Sequence, residues 1–460
     1  MQTQSLTVTD SSGVKTLSVV NFDHVRGTSR NDIITGNTGN NQLFGNGGDD
    51  TIRGSGGNDT LDGGTGNNLA DYSQLGQSVT FVPNNTIKKG ALGKDTLTNI
   101  QTIIADATKA NNTIDVSSLT TITSINANLA NQTITVNGSQ SWRVVNFDDV
   151  KGTNQADSLT GDSQDNQLFG YGGDDIINGG YGNDILAGGS GNNILNGGGD
   201  YDTADYSQIT KNITFLQTGV IQKDGGLGED KLVNIEKVIV NANASSNVID
   251  ASTADSNTSI NVNLNYQFFD VISLSGIKSF AVENFDVVKG SNQSDDIVGD
   301  NQNNLLLGNG GNDFLDGYEG DDNLNGGSGD DYIWGYFGND YLTGGSGNDT
   351  LMGEGDDDTL LGGDGDDSLM GGDGDDILIG GLGQDKFVFN NVSEGIDIIK
   401  DFNISEGDKI QIYQLMFGTS NINDFSYDPS TGNLFFEGNK FVTLENRPIG
   451  FSPNSQIEFI

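Results

Sequence analysis

The residues of this sequence best placed to do chemistry are aspartates that recur every nine residues. Between Gly290 and Val388 the chain has 23 acidic residues and one basic residue, Lys386. If the chain folds into stacked coils, carboxylates at a fixed period become neighbours and repel one another. A bound divalent cation is the simplest way to neutralise them. The predicted metal ligands are Asp32, Asp50, Asp59, Asp157, Asp175, Asp184, Asp202, Asp295, Asp313, Asp322, Asp331, Asp340, Asp349, Asp358, Asp367, Asp376 and Asp385.

These carboxylates occupy the sixth position of a nine-residue unit, shown most clearly by Gly-Gly-Ser-Gly-Asn-Asp-Thr-Leu-Met at 344–352. The eighth position is apolar throughout. Each period therefore supplies a glycine-rich turn, one carboxylate and one core residue. Eleven such units begin at Gly290, Gly299, Gly308, Gly317, Gly326, Gly335, Gly344, Gly353, Gly362, Gly371 and Gly380.

Two shorter arrays precede this one. The first has five units, which begin at Gly27, Gly36, Gly45, Gly54 and Gly63, and the second has six, which begin at Gly152, Gly161, Gly170, Gly179, Gly188 and Gly197. Some units have asparagine in the sixth position, and in all three arrays the second unit does. A neutral amide binds a cation less well, so we expect these residues to stack as hydrogen-bonded ladders: Asn41, Asn68, Asn166, Asn193 and Asn304.

The unit resembles the glycine-rich nonapeptide of the repeats-in-toxin (RTX) family, Gly-Gly-x-Gly-x-Asp-x-apolar-x. Eleven tandem matches in register make the resemblance specific. It implies an all-β fold, a right-handed parallel β-roll or β-solenoid, in which each unit gives a turn and a short strand and two units make one coil. It also implies that the metal is Ca2+, bound as multiple ions.

The donor chemistry agrees with calcium, which takes six to eight oxygen ligands from carboxylates and backbone carbonyls. Zinc is a poor fit to a chain with no Cys and one His, and magnesium prefers to keep its waters. Carboxylates at other positions are expected to be solvated rather than to bind metal. They include Asp321, Asp330, Asp357, Asp366 and Asp375. Asp397 and Asp401 are candidates for an extra site beyond the array.

The arrays belong to a longer module. Asn21-Phe22-Asp23, Asn146-Phe147-Asp148 and Asn284-Phe285-Asp286 introduce them. The predicted segments are the tail of a preceding spacer (1–20), the first array (21–71), a β spacer (72–145), the second array (146–205), a second β spacer (206–282), the third array (283–388) and a C-terminal β cap (389–460). The spacers either continue the solenoid or form small β-sandwiches. The first segment suggests a piece excised from a longer protein.

The composition of the chain excludes several classes of partner and of structure. A net charge of −43 disfavours nucleic acid, whose phosphates would be repelled. No window is long and apolar enough to span a membrane. The absence of Cys rules out a disulfide framework. Residues 1–5 have neither the basic nor the apolar segment of a classical signal peptide. The resemblance implies secretion through a C-terminal type I signal in the region of the cap.

Two other features have alternative interpretations. His24 is the only histidine, but Asp149 and Val287 occupy the matching places in the other modules, so it is expected to be a surface residue. Aromatic side chains cluster in two adjacent units and either pack at the coil edge or form a face for a sugar or protein. They are Tyr332, Trp334, Tyr336, Phe337 and Tyr341.

The sequence therefore predicts an extracellular calcium-binding protein with a structural, adhesin-like or surface-layer role and no catalytic residues. Its acidic, weakly apolar repeats are expected to be disordered without calcium and to fold when it binds. Cell-surface glycan or protein is the expected partner. The alternative is a polysaccharide-active enzyme that uses carboxylates, or the RTX portion of one. The sequence contains neither His-Glu-x-x-His nor Gly-x-Ser-x-Gly.

Overall fold

The computed structural model describes residues 3–10, 13–20 and 22–460. Asn21, the first residue of the first introducing motif, lies outside them. Contacts divide the chain into two units: unit 1 takes Met1–Ile209 with Val220–Ile239, and unit 2 takes Thr210–Gly219 with Val240–Ile460.

The third array, in unit 2, shows how the repeat folds. Each nonapeptide forms one strand, and the strand pairs in parallel with the strand 18 residues later, as Leu324 does with Leu342 and Leu342 with Leu360. Two units therefore make one coil, which confirms the predicted parallel β-roll. The strands are Val287–Lys289, Asp296–Val298, Leu305–Gly310, Phe314–Glu319, Asn323–Ser328, Tyr332–Phe337, Tyr341–Ser346, Thr350–Gly355, Thr359–Asp364, Ser368–Asp373, Ile377–Leu382 and Lys386–Phe389.

The core is a column of eighth-position side chains. Successive side chains on a strand point to opposite faces, so one apolar residue per unit faces inward and its neighbours face outward. In the third array these side chains have no exposed surface: Ile297, Leu306, Leu315, Leu324, Ile333, Leu342, Leu351, Leu360, Leu369, Leu378 and Phe387.

Glycine is required where the turns of successive coils meet. Gly345 and Gly347 have φ angles of 119° and 131°, which side chains of L-residues rarely adopt. Added methyl groups there would overlap the carbonyl oxygens of Gly327 and Gly329 on the preceding coil. The turns therefore stack at a distance that excludes side chains at these positions.

Unit 1 begins with the antiparallel strands Thr3–Asp10 and Gly13–Val20. The first array follows with strands His24–Arg26, Asp32–Thr35, Gln42–Phe44, Thr51–Arg53, Thr60–Asp62 and Leu69–Asp71. The first spacer contains strands Thr80–Val82, Thr86–Lys88, Lys94–Thr98, Thr102–Ile104, Thr113–Asp115, Ile125–Asn128, Thr133–Val136 and Gln140–Val145, and the 3-10 helix Gly90–Leu92.

The first spacer continues the coil. Thr102–Ile104 pairs in parallel with Leu69–Asp71 of the first array. Ile125–Asn128 pairs in parallel with Ser158–Thr160 of the second array. Of the two interpretations, the structure therefore shows a solenoid with antiparallel hairpins inserted rather than a separate sandwich.

The second array has strands Asp149–Lys151, Ser158–Thr160, Gln167–Phe169, Ile176–Gly180, Ile185–Ala187, Ile194–Gly198 and Thr203–Asp205. Three strands of the second spacer also belong to unit 1: Val220–Lys223, Gly228–Val233 and Lys237–Ile239. The others belong to unit 2: Ile213–Leu216, Val248–Asp250, Ser259–Asn263, Phe268–Ser273 and Gly276–Glu283.

The cap extends the third array. Asp397–Ile399 and Lys409–Ile412 pair in parallel with its last strands, and Asn439–Leu444 and Ile457–Phe459 add a further layer. Phe425–Asp428 and Asn433–Phe436 form an antiparallel meander with Asn439–Leu444. The helices are Gln414–Phe417, Pro453–Gln456 and the 3-10 helix Ile422–Asp424. Within the described residues, no helix has both the length and the apolar character needed to cross a bilayer.

Replacing one core leucine tests this architecture. Leu342→Ala should lower the free energy of unfolding by about 2–5 kcal/mol, because it removes fully buried apolar atoms and leaves a cavity in the column. Chemical denaturation in saturating calcium, followed by circular dichroism, measures it. Thr343→Ala is the matched control, since this neighbouring side chain faces outward. Equal effects of the two substitutions would contradict the assignment of the core.

Candidate metal centre

The sixth-position carboxylates form ladders along the roll. All seventeen predicted ligands are buried. Within an array, the backbone N–H of a sixth-position residue donates to the Oδ1 atom of its counterpart on the next coil, as from Asp331 to Asp349 and from Asp349 to Asp367, both at 2.8 Å. Because two units make a coil, the ladders run along both sides of the array.

The second oxygen of most of these carboxylates has no partner. In the third array nine consecutive Oδ2 atoms are buried without a hydrogen bond, and the second and first arrays add four more. A buried, unpaired carboxylate oxygen is costly, so a row of them has the chemistry of a cation-binding site. The unpaired Oδ2 atoms belong to Asp50, Asp175, Asp184, Asp202, Asp313, Asp322, Asp331, Asp340, Asp349, Asp358, Asp367, Asp376 and Asp385.

The pKa values of the ladder aspartates are raised by the same burial. Burial raises the pKa of Asp313, Asp322 and Asp358 to about 8, and the neighbouring carboxylates add to the effect while the ladder hydrogen bond opposes it. Burial likewise raises the pKa of Asp331 and Asp367 to about 7. Burial in the roll therefore destabilises the charged form of these carboxyls relative to the protonated form.

Backbone oxygens complete the environment. Among the described residues, no three acidic or histidine side chains converge on a point. Carbonyls are available, because those of the second and fourth positions, such as Gly327 and Gly329, approach the turn of the next coil. The first-position glycine leaves the carboxylate room: a methyl group on Gly344 would overlap Asp349 Oδ2 and lie 2.6 Å from the Gly362 oxygen. An all-oxygen set of carboxylates and carbonyls fits calcium.

Four predicted ligands differ from the rest. The Oδ2 atoms of Asp32, Asp157 and Asp295, the first in each array, accept hydrogen bonds at 2.5–2.6 Å from the backbone N–H groups of the second-position residues. Those residues are Thr28, Thr153 and Ser291, and their hydroxyls also donate to the same carboxylates. The fourth, Asp59, pairs with a lysine, Lys89. In the sequence, the feature that distinguishes Asp32, Asp157 and Asp295 is the threonine or serine at the second position of their units.

The sixth-position asparagines stand in the same ladders. Asn304 N donates to Asp322 Oδ1 at 2.7 Å, and Asp50 N donates to Asn68 Oδ1 at 3.0 Å. Each asparagine therefore keeps the ladder and removes one negative charge from it.

A second ladder, which the sequence did not reveal, runs along the exposed fifth positions. Asn348 N donates to Asp330 Oδ1 at 2.8 Å, and Asp366 N donates to Asn348 Oδ1 at 2.9 Å. The acidic residues expected only to be solvated, Asp321, Asp330, Asp357, Asp366 and Asp375, accept these hydrogen bonds while remaining exposed.

Beyond the third array, Asp397 and Asp401 have separate roles. Asp397 continues the buried ladder, with its Oδ1 3.1 Å from Asp376 N, and burial raises its pKa to about 8. Asp401 accepts hydrogen bonds of 3.0 Å from the N–H groups of Gly380 and Gly381. Asp408 continues the other ladder from Asp385 at 3.2 Å.

Two further candidates lie away from the ladders. His24 is exposed, as expected. Outward-facing aromatic rings cover two adjacent strands of the third array: Phe314 stacks on Tyr332 with ring centres 5.9 Å apart, and Trp334 contacts Tyr332 and Tyr336. Phe337 is 59% exposed. The rings pack on one another and still present a surface to solvent.

Comparison with known proteins agrees with this geometry. A family model described as RTX calcium-binding nonapeptide repeat (4 copies) matches residues 22–52, 35–70, 147–177, 169–204, 289–324, 316–351 and 352–387. No curated protein matches the chain. Among solved structures, the extracellular lipase LipA from Serratia marcescens is 20% identical, with a TM-score of 0.19, over 66% of this chain and 39% of that chain. So low a score does not support a comparison of folds.

The family matches fall on all three arrays, where the structure places the buried ladders and their unpaired oxygens. The chain therefore carries RTX calcium-binding nonapeptide repeats and is a calcium-binding repeat protein.

Proposed function

We propose that this chain is a secreted structural or adhesin-like module whose repeats fold when calcium binds. The observation that carries the proposal is the run of nine buried, unpaired carboxylate oxygens in the third array. In this proposal, ions held by carboxylates and turn carbonyls link successive coils.

The energetics favour coupled binding and folding. Adjacent strands lie about 4.8 Å apart, and two carboxylates at that distance repel by roughly 3 kcal/mol at an effective dielectric constant of about 20. Each coil offers only two eighth-position side chains to oppose this repulsion and the loss of chain entropy. A divalent ion between coils changes the sign of the electrostatic term, so its binding energy becomes folding energy.

The proposed location outside the cell follows from the calcium dependence of folding. A chain that needs calcium to fold stays unfolded at low cytosolic calcium and folds outside the cell, which suits type I export. The absence of cysteine is compatible with this route. The cap then closes the last coil of the third array, where an open end would leave strand groups unpaired.

We further propose that the aromatic surface contacts a cell-surface glycan. This surface is formed by Phe314, Tyr332, Trp334, Tyr336 and Phe337. Exposed, mutually packed rings provide a rigid platform with little side-chain entropy left to lose on binding. The alternative proposal is a polysaccharide-active enzyme or its RTX portion, in which some of the carboxylates act on the glycan.

Calcium titration tests the coupling of binding to folding. Circular dichroism should show loss of β structure in chelator and its return with calcium. Asp349→Asn should raise the calcium concentration at the midpoint by about tenfold, the factor that corresponds to about 1.4 kcal/mol, because one charged ligand becomes neutral. Asp366→Asn is the matched control on the exposed ladder and should leave the midpoint unchanged. A β spectrum indifferent to chelator would refute coupled folding.

The raised pKa values predict a pH dependence of the calcium-free chain. Folding raises the pKa of these aspartates from 3.8 to about 6–8, so the folded state binds more protons and loses stability as pH rises through that range. After calcium is removed by dialysis, β structure should be greater at about pH 5.5 than at about pH 8. Circular dichroism measures it, and the opposite order would contradict the burial of these groups.

Glycan binding is tested at an exposed ring. Phe337→Ala should weaken binding to an uncharged polysaccharide about three- to tenfold, since an aromatic contact contributes roughly 0.5–1.5 kcal/mol. Tyr181→Ala is the matched control, because Tyr181 holds the same third position in its unit and is 70% exposed. Surface plasmon resonance in saturating calcium measures both. Equal effects count against the platform, and turnover of the polysaccharide supports the enzyme alternative.

A further inference from the structure

Two buried lysines lie beside the ladders of unit 1. The side chains of Lys89 and Lys223 have no exposed surface. Each comes from an antiparallel hairpin in the spacer that follows an array: Thr86–Lys88 pairs with Lys94–Thr98, and Val220–Lys223 pairs with Gly228–Val233. A charged ammonium is buried in this way only where it meets oxygen ligands.

The Lys223 ammonium lies among the oxygens of a repeat turn. Its Nζ donates to the carbonyl oxygens of Gly189 at 2.8 Å and Gly191 at 2.9 Å, and it contacts Asp230 Oδ1. The two glycines hold the second and fourth positions of the unit that begins at Gly188. Asp230 continues the ladder, since its Oδ1 accepts from Asn193 N at 3.0 Å.

The Lys89 ammonium has an equivalent environment in the first array. Its Nζ lies 2.7 Å from the second-position carbonyl oxygen of Ser55, 2.9 Å from sixth-position Asp59 Oδ2 and 2.5 Å from Asp95 Oδ1. Asp95 continues the ladder from Asp59 N at 3.1 Å, and Tyr72 Oη donates to its other oxygen at 2.9 Å.

We propose that Lys89 and Lys223 each take the place of a calcium ion at the last position of a row, so that a cation of the chain itself closes the row. Both ammonium groups contact a second-position carbonyl and ladder carboxylates, and Lys223 also contacts a fourth-position carbonyl. These are the donors that the repeat offers to an ion elsewhere. An ion and an ammonium cannot share them, because both are positive and both need the same space. This inference rests on the calcium binding of the repeats.

The third array supplies an internal comparison. It passes into the cap without a spacer hairpin, and its ladders continue to Asp397 and Asp408. Among the described residues around that end, the lysines are not buried: Lys400 and Lys409 pair at the surface with Glu445 and Glu458. The buried ammonium therefore accompanies the hairpin and is not a general feature of row ends.

The first test measures the number of calcium ions that each chain binds. Lys223→Ala and Lys89→Ala should each bind one more calcium ion per chain than the parent protein at saturation, measured by native mass spectrometry. Lys231→Ala removes an exposed positive charge from the same hairpin as Lys223 and should leave the number unchanged. An unchanged number in both buried-lysine variants, with their circular dichroism intact, overturns the proposal.

The second test needs no variant. In crystals of the unsubstituted chain grown with calcium, anomalous difference density should be present beside the unpaired oxygens of the third array. It should be missing among Gly189, Gly191 and Asp230, and among Ser55, Asp59 and Asp95. Density at either lysine site, with the ammonium displaced, overturns this inference alone. Absence of density along every array instead counts against calcium binding by the repeats.

Discussion

The structure depends on one electrostatic constraint, the stacking of buried carboxylates on successive coils. The parallel pairing that places Leu342 over Leu324 also places a sixth-position aspartate on each coil beside the next. In most of these carboxylates the ladder satisfies one oxygen through a backbone N–H group and leaves the other buried without a hydrogen bond. The backbone therefore fixes the position of the negative charge, and the charge must be balanced locally by protons, metal ions or ammonium groups.

The number of negatively charged sixth-position residues differs between the three arrays. Sixth-position asparagine appears twice in five units, twice in six and once in eleven. Each keeps the hydrogen bond of the ladder while removing a charge, as Asn68 does beyond Asp50. At the first unit of each array, Thr or Ser at the second position supplies a backbone N–H and a hydroxyl to the carboxylate instead. The long third array has the fewest such substitutions for its length and has the longest run of buried, unpaired carboxylate oxygens.

The period alone predicts most of this architecture, because local sequence sets both the turn and the inward side chain. Eighth-position residues such as Leu342 form the core, and the sixth-position aspartates are also buried. The period did not predict partners that come from outside it. Lys89 reaches Asp59 across 30 residues, and Asp95 extends the same ladder across 36. Only the fold of the spacer hairpin brings these groups together. The similarity between the sequences that begin at Asp95 and at Asp230 nevertheless indicated that the two segments have the same role.

The hairpins also explain why spacers can interrupt an array without disrupting the roll. A row of ions ends where the next coil no longer offers an aspartate and a glycine turn, and the last carboxylates would then remain unbalanced. In unit 1 the first spacer supplies three groups at that point. The carboxylate of Asp95 continues the ladder, the ammonium of Lys89 neutralises this carboxylate, and the buried hydroxyl of Tyr72 donates a hydrogen bond to it. Because the ammonium is covalently attached, it competes for these oxygens at a fixed local concentration that does not depend on dissolved calcium. In our proposal, one row of each of the first two arrays therefore remains closed at its end while the ions between the coils exchange with the solution.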